Sequence, residues 1–258
     1  MPVQANVEKI LNLINEIAPF DTAEGFDNVG LLLGRRSQMV SKVLVTLDVT
    51  KETAKEAVRL GADLIIAHHP LLFRARKNIT EEDPEGEILC ELIRNKISLI
   101  AAHTNLDQTI WSGSACCAKQ LELKNIRLEP PYLFLGELKE KCNAMELKDI
   151  LTKNLGYPVR CYGDEHAVIS TLAIAGGSYD EGWEQAMATG AQALLTGEVG
   201  YHTALTAMMS GFVLFDGGHY ATEVPLVENL AAYLQNRLND VQCNVQVYPA
   251  QSAPFTGA

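Results

Sequence analysis

With 258 residues, the chain can form one large domain or two small ones. Its 47% hydrophobic and 21% charged residues exclude a disordered chain and allow a sizeable core. A formal net charge of −11 argues against non-specific nucleic-acid binding, which needs a basic face to displace counterions, and weakly against binding to an anionic membrane surface.

No positively charged segment followed by an apolar run marks a signal peptide, and the longest apolar runs fall far short of a membrane span. A cytoplasmic location is the expectation. Six cysteines occur without a CxxC pair, so they read as reduced thiols rather than bridges or a zinc knuckle. Cys116 and Cys117 read as packing residues on a helix.

In chain order, Val7, Ile10, Leu11, Ile14 and Ile17 recur at helical spacing and predict an amphipathic first helix, ended by Pro19. Leu31–Leu33 predicts a strand. A β-α-β rhythm then begins with a strand at Val43–Leu47. A helix follows, capped by Thr50 and Gly61, and then a strand at Leu64–Ala67. A helix near Gly86–Asn95, a strand at Ile97–Ala102 and a helix from Asp107 to about Leu121 come next. Residues 126–170 show mixed strands and a helix near Glu146–Leu155. Strands then recur at Leu172–Ala175, Ala193–Thr196 and Val213–Phe215, with a last helix over Val224–Arg237 and a strand at Val241–Tyr248. Alternating strands and helices imply an α/β fold with a largely parallel sheet covered on both faces.

The halves resemble each other. An offset of 129 brings Val43 onto Leu172, Gly61 onto Gly190 and Ile65-Ile66 onto Leu194-Leu195. An offset of 116 brings His103 onto His219 and Asp107 onto Glu223, so both copies keep a His-x-x-x-acid spacing. Two similar α/β lobes are therefore expected, residues 1–125 with 220–258 forming one and 126–219 the other. Polar residues sit just past the strands, where open α/β sheets place their ligands.

Four of the six histidines, His68, His69, His103 and His219, lie next to apolar strands, and Asp107 and Glu223 follow two of them by four residues. Neighbours on a regular strand point to opposite faces, but past a strand end two adjacent imidazoles can each hold one ion of a close pair. Pro70 keeps His69 extended, and Gly217-Gly218 allows close approach before His219. Imidazole and carboxylate together suit two divalent ions such as zinc, iron, manganese or nickel, with His68, His69, Asp107, His219 and Glu223 as ligands. Asp48 reads as a turn residue or a supporting acid. Gly176-Gly177 reads as a plain turn or a phosphate cradle. Neither a GxSxG elbow nor a GxxxxGK[ST] loop occurs. Arg74, Arg76 and Lys77 read as solvated surface or as help for an anionic substrate.

At these residues the chain resembles the GTP cyclohydrolase 1 type 2 homologue family, also called NIF-three-like. The resembling blocks are DNVGLLLG (27–34), ADLIIAHHPLLFR (62–74), AAHTNLD (101–107), LLTGEVGYH (194–202) and FDGGHYATE (215–223). The resemblance implies a dinuclear centre on the same five ligands, between strand-end loops of a two-lobed subunit, and a toroidal homohexamer. It places His103, Glu198 and His202 along the cavity. Two departures stand out. Phe26 replaces a usual Trp, and the 124–170 stretch is too short for the domain that longer relatives insert. A metal-dependent hydrolase with an activated water as nucleophile and a nucleotide or phosphoester substrate is the expected function. Candidate acid/base groups are His103 and Glu198, and candidate substrate contacts are His202 and Arg74. The alternative is a non-catalytic metal-binding protein that regulates a partner.

Overall fold

The computed structural model describes residues 4–251 and 253. A short strand β1 (Ala5–Asn6) leads into α1 (Val7–Ile17), whose N-cap Asn6 accepts a hydrogen bond from the Lys9 amide at 2.9 Å. Next come β2 (Gly30–Leu33), β3 (Met39–Val40), β4 (Lys42–Thr46), α2 (Lys51–Leu60), β5 (Leu64–Ala67), α3 (Pro84–Arg94), β6 (Ser98–Ala101) and the single turn α4 (Thr104–Asp107). Then follow α5 (Gly113–Gln120), β7 (Lys124–Glu129), β8 (Leu133–Asn143), α6 (Ala144–Leu155), β9 (Arg160–Tyr162) and β10 (Val168–Ala175). The chain ends through α7 (Trp183–Ala188), β11 (Ala193–Thr196), α8 (Tyr201–Met209), β12 (Val213–Asp216), α9 (His219–Glu223), α10 (Pro225–Asp240) and β13 (Gln246–Pro249).

Two compact units result. The first runs to Leu106 and resumes at Val227; the second is Asp107–Leu226. The expected boundaries put α5 and residues 220–223 of α9 in the first lobe. In the folded chain Cys117 and Ala118 of α5 pack with Leu172, Leu195 and Phe215, which are core residues of the second unit.

The first unit holds a five-stranded sheet in the order β13-β4-β5-β6-β2, parallel except for β2, which runs antiparallel to β6. The central strands β4, β5 and β6 bury residues on both faces, as parallel strands inside an α/β sheet do. Leu44, Ile65 and Leu99 pack against Ala54 and Ala57 of α2 and Ile88 and Leu92 of α3. Val43, Val45, Ile66 and Ile100, on the opposite face, are equally buried. Thr50 and Gly61 cap α2 as the sequence predicts. The Thr53 amide donates to Thr50 Oγ1 at 3.1 Å, and Gly61 sits at φ +68°, which a side chain would strain.

The second unit holds a six-stranded sheet in the order β7-β8-β10-β11-β12-β9. Its centre, β10-β11-β12, is parallel and its flanks are antiparallel. The two parallel centres repeat one another. Val43 pairs with Leu64 as Leu172 pairs with Ala193, an offset of 129 in both strands. Leu64 pairs with Ser98 as Ala193 pairs with Val213, so the third strands match at 115, not 116. The sequence match of His103 with His219 is therefore one residue out of structural register, and the extra residue falls in the turn over 216–218.

Two further local expectations shift. The helix predicted from Asp107 to Leu121 is two pieces, because Ser112 caps a new start by accepting from the Ala115 amide at 3.1 Å. The helices that a β-α-β rhythm implies between the last strands, without bounds, form as α7 and α8, and the final strand is confined to Gln246–Pro249. Substituting Ile65→Ala, fully buried in β5 under α2 and α3, should lower unfolding free energy by about 2–5 kcal/mol. Urea denaturation checks it: the midpoint should fall at unchanged slope.

Candidate metal centre

In the first unit, three imidazoles gather just past β5 and β6. His68 and His69 continue β5, their amides donating to Thr46 O at 3.0 Å and Leu47 O at 2.9 Å. Ring centroids lie 4.9 Å apart for His68–His69, 5.1 Å for His68–His103 and 5.5 Å for His69–His103. One nitrogen from each lies within 4.8 Å of the others. Each Nδ1 faces an oxygen: His68 faces Ala102 O at 2.9 Å, His69 faces Asp48 Oδ1 at 2.8 Å, and His103 faces Asp27 Oδ1 at 3.0 Å. A carbonyl or carboxylate can only accept, so each Nδ1 is the protonated nitrogen and each Nε2 carries the basic lone pair. Oxygen acceptors behind imidazoles in this way are the support that metal-ligating histidines need.

Asp27 is the best anchored of these acceptors. Its other oxygen, Oδ2, accepts from Thr104 Oγ1 at 2.6 Å and the Thr104 amide at 3.1 Å. Burial alone would raise its pKa, but the hydrogen bonds from His103 and Thr104 outweigh it and hold the carboxyl well below its usual range. Asn105 fixes the same turn, accepting from the His103 amide at 3.0 Å and donating to Ala18 O at 2.8 Å.

In the second unit, His219 and Glu223 lie one turn apart on α9. His219 Nδ1 is 2.7 Å from Glu198 Oε1, and its Nε2 is 3.1 Å from Glu223 Oε2. With Nδ1 donating to Glu198, Nε2 and a carboxylate oxygen at that distance repel unless a proton or a cation lies with them. The donor set therefore fits a divalent ion. Glu223 is buried at 5% exposure, and backbone encloses it. A Cβ on Gly113 would lie 2.6 Å from Glu223 Cα, and one on Gly177, at φ +68°, would overlap Glu223 Oε1. The Gly177 amide donates to Thr222 Oγ1 at 3.1 Å and the Gly176 amide to Ser114 Oγ at 2.8 Å. Both amides are thus engaged by protein, and the glycine pair makes room for Glu223 instead of cradling phosphate. The neighbouring Cys117 thiol donates to Thr222 O at 3.3 Å, and burial pushes its pKa up to about 12, so it stays neutral.

Asp107 ends α4, half-buried, at the start of the second unit. Glu198 is an exposed partner of His219. His202 lies exposed on α8 beside Tyr201, with ring centroids 5.3 Å apart. Arg74 is exposed on the loop after β5. Asp48 proves to be the supporting acid of His69, not a plain turn residue. Sequence reading missed Asp27, Thr104, Asn105 and Gly113. For Thr104 and Asn105 the available signal was a polar pair directly after His103.

Fold and side chains define a class: an α/β protein with His and Glu groups that could hold a metal ion. The chain belongs to the Duf34/NIF3 (NGG1p interacting factor 3) family, whose model matches residues 5–254. It is 34% identical over 239 residues to a Clostridium perfringens protein named GTP cyclohydrolase 1 type 2 homolog, covering 89% of this chain and 91% of that one. A Streptomyces coelicolor protein of the same name is 31% identical over 242 residues, covering 88% and 85%. Among solved structures, the chain is similar to a Staphylococcus aureus hypothetical protein, with a TM-score of 0.93 and 28% identity over 99% of this chain and 100% of that one. It is also similar to reduced HcgD from Methanocaldococcus jannaschii, with a TM-score of 0.83 and 25% identity over 98% and 100%.

Gly177→Ala should displace Glu223 and strain the turn, costing about 1–3 kcal/mol. Thermal unfolding should show the loss, and zinc titration should show weakened binding. A variant with unchanged melting and unchanged zinc binding would contradict the cradle.

Proposed function

We propose that the chain is a dinuclear metal-dependent hydrolase in which His68, His69, Asp107, His219 and Glu223 hold two divalent ions. The imidazole hydrogen bonding carries this reading. His68, His69 and His219 each commit Nδ1 to an oxygen and so offer Nε2 as a lone pair. Two carboxylates complete a nitrogen and oxygen donor set suited to zinc, iron, manganese or nickel. Ions bound there would supply Lewis acidity and an activated water at neutral pH.

The chain's own groups would do the proton work. Asp27 stays ionised and holds His103 by Nδ1, which leaves Nε2 to take up a proton. Glu198, read from sequence as an acid/base group, is better assigned to orienting His219. Arg74 and His202 are proposed as substrate contacts. The name shared by the Clostridium and Streptomyces relatives makes GTP the first substrate to test, with other phosphoesters next. We extend the proposal to a homohexamer, on the family resemblance, and to a cytoplasmic setting, with which six free thiols agree. Among the described residues, no helix is long and apolar enough to cross a membrane.

Protein stripped with chelator and reloaded with zinc, iron, manganese or nickel should bind two ions per chain by elemental analysis. It should release formate from GTP with at least one of them. His68→Ala and Glu223→Gln should lose metal and turnover together. Asp27→Asn should keep its metal and lose roughly 100-fold in turnover. Absence of formate with all four ions would reject GTP hydrolysis. Light scattering should give about 169 kDa, six times the 28.2 kDa chain, and a monomer mass would reject the hexamer.

A further inference from the structure

A cleft of about 830 Å³ opens beside the first unit's histidines, lined by residues 26–28 and 72–79. Two of its lining residues touch His103 directly. Asp27 bonds the imidazole, and the Phe73 ring stands edge-on to it at 6.4 Å between centroids. The walls are tied together. Asn28 Nδ2 donates to Leu72 O at 2.5 Å, and Arg76 bonds Asp83 at 2.6 Å, Glu85 at 3.1 Å and Asn78 O at 3.2 Å.

The three cations of this loop are not equivalent. Arg76 is held by two carboxylates, which neutralise its charge and fix the loop. Arg74 and Lys77 make no ion pair among the described residues and are exposed. The only acid in the lining, Asp27, is buried against His103 and Thr104 and does not neutralise them. On a chain of net charge −11, an uncompensated cation pair concentrates anions locally. The same cleft exposes two aromatic rings, Phe26 at 68% and Phe73 at 43%, set edge to face at 6.4 Å. Exposed ring faces beside unpaired cations match a ligand that carries both a planar ring and a negative group.

We propose that this cleft is the anchoring subsite for a phosphorylated aromatic heterocycle. Arg74 and Lys77 hold the phosphates, and Phe26 and Phe73 pack against the ring. The assignment rests on the hydrolase reading for its purpose, but its binding can be measured without turnover. Arg76 is a loop-positioning residue and does not touch the ligand.

Calorimetry on the full chain in chelator tests the subsite, with GTP, guanosine and inorganic triphosphate as probes. GTP should bind more tightly than either fragment. The Arg74→Ala/Lys77→Ala double variant should lose tenfold or more in affinity for GTP and triphosphate and leave guanosine unchanged. Phe26→Ala, at an exposed position, should weaken GTP and guanosine but not triphosphate. The control is Lys55→Ala/Arg59→Ala, two exposed cations of α2 outside the cleft, which makes the same change in net charge and should leave all three probes unaffected. Unchanged GTP affinity in the Arg74/Lys77 variant, or an equal loss in the control, would overturn the subsite. Cleft binding that survives in a chain with no turnover on any metal supports the subsite and sinks only the hydrolase.

Discussion

Three imidazoles in the first unit each donate an Nδ1 hydrogen bond to an oxygen, and one of those oxygens is the backbone carbonyl of the residue just past β6. His68 reaches Ala102 O because β5 and β6 run parallel, with Ala67 opposite Ala101 and the Ala102 amide donating to Ala67 O at 3.0 Å. That register is set by burial. Ile65 and Leu99 must face α2 and α3, while Ile66 and Ile100 must face the other way. A slip of one residue would turn each to the wrong side. Apolar packing thus decides which carbonyl stands behind His68, and so which of its nitrogens carries the lone pair.

The second unit solves a different problem, that of burying a carboxylate. An isolated carboxylate inside a protein is costly to hold ionised. Around Glu223 the backbone comes close, through Gly113 and Gly177, and His219 stands 3.1 Å from its oxygen. The Cys117 thiol nearby remains protonated, so it adds no negative charge there. Compensation of the Glu223 charge falls to an imidazolium or a cation.

Much of the scaffold was legible because its signals are local. Leu64–Ala67 and Ala193–Thr196 are short apolar runs between helices, and α2 is bracketed by a capping threonine and a glycine that ends it. His-His-Pro announced itself by rarity after such a strand. What stayed hidden depends on distance in sequence. Asp27 and His103 are 76 residues apart, and Asp48 and His69 are 21 apart. No periodicity links them, since each pair is joined only when strands and their end loops come together. The repeat shows the same limit. Side-chain identity favoured an offset of 116, whereas hydrogen-bond register gives 115 in β12, because a turn can absorb a residue that a strand cannot.

The acidic total charge misleads in a similar way if it is read as a surface property. A sum of −11 says nothing about where cations lack partners. Within four consecutive residues, Arg-Ala-Arg-Lys, the middle arginine is locked by Asp83 and Glu85 while its neighbours face solvent. Removing the middle charge would loosen the loop, whereas removing its neighbours would change only the field over the cleft. Three cations that look interchangeable in sequence thus divide into one that builds the wall and two that face whatever enters. The partition is set by the two acids at the start of α3, which no inspection of the cationic run alone could supply.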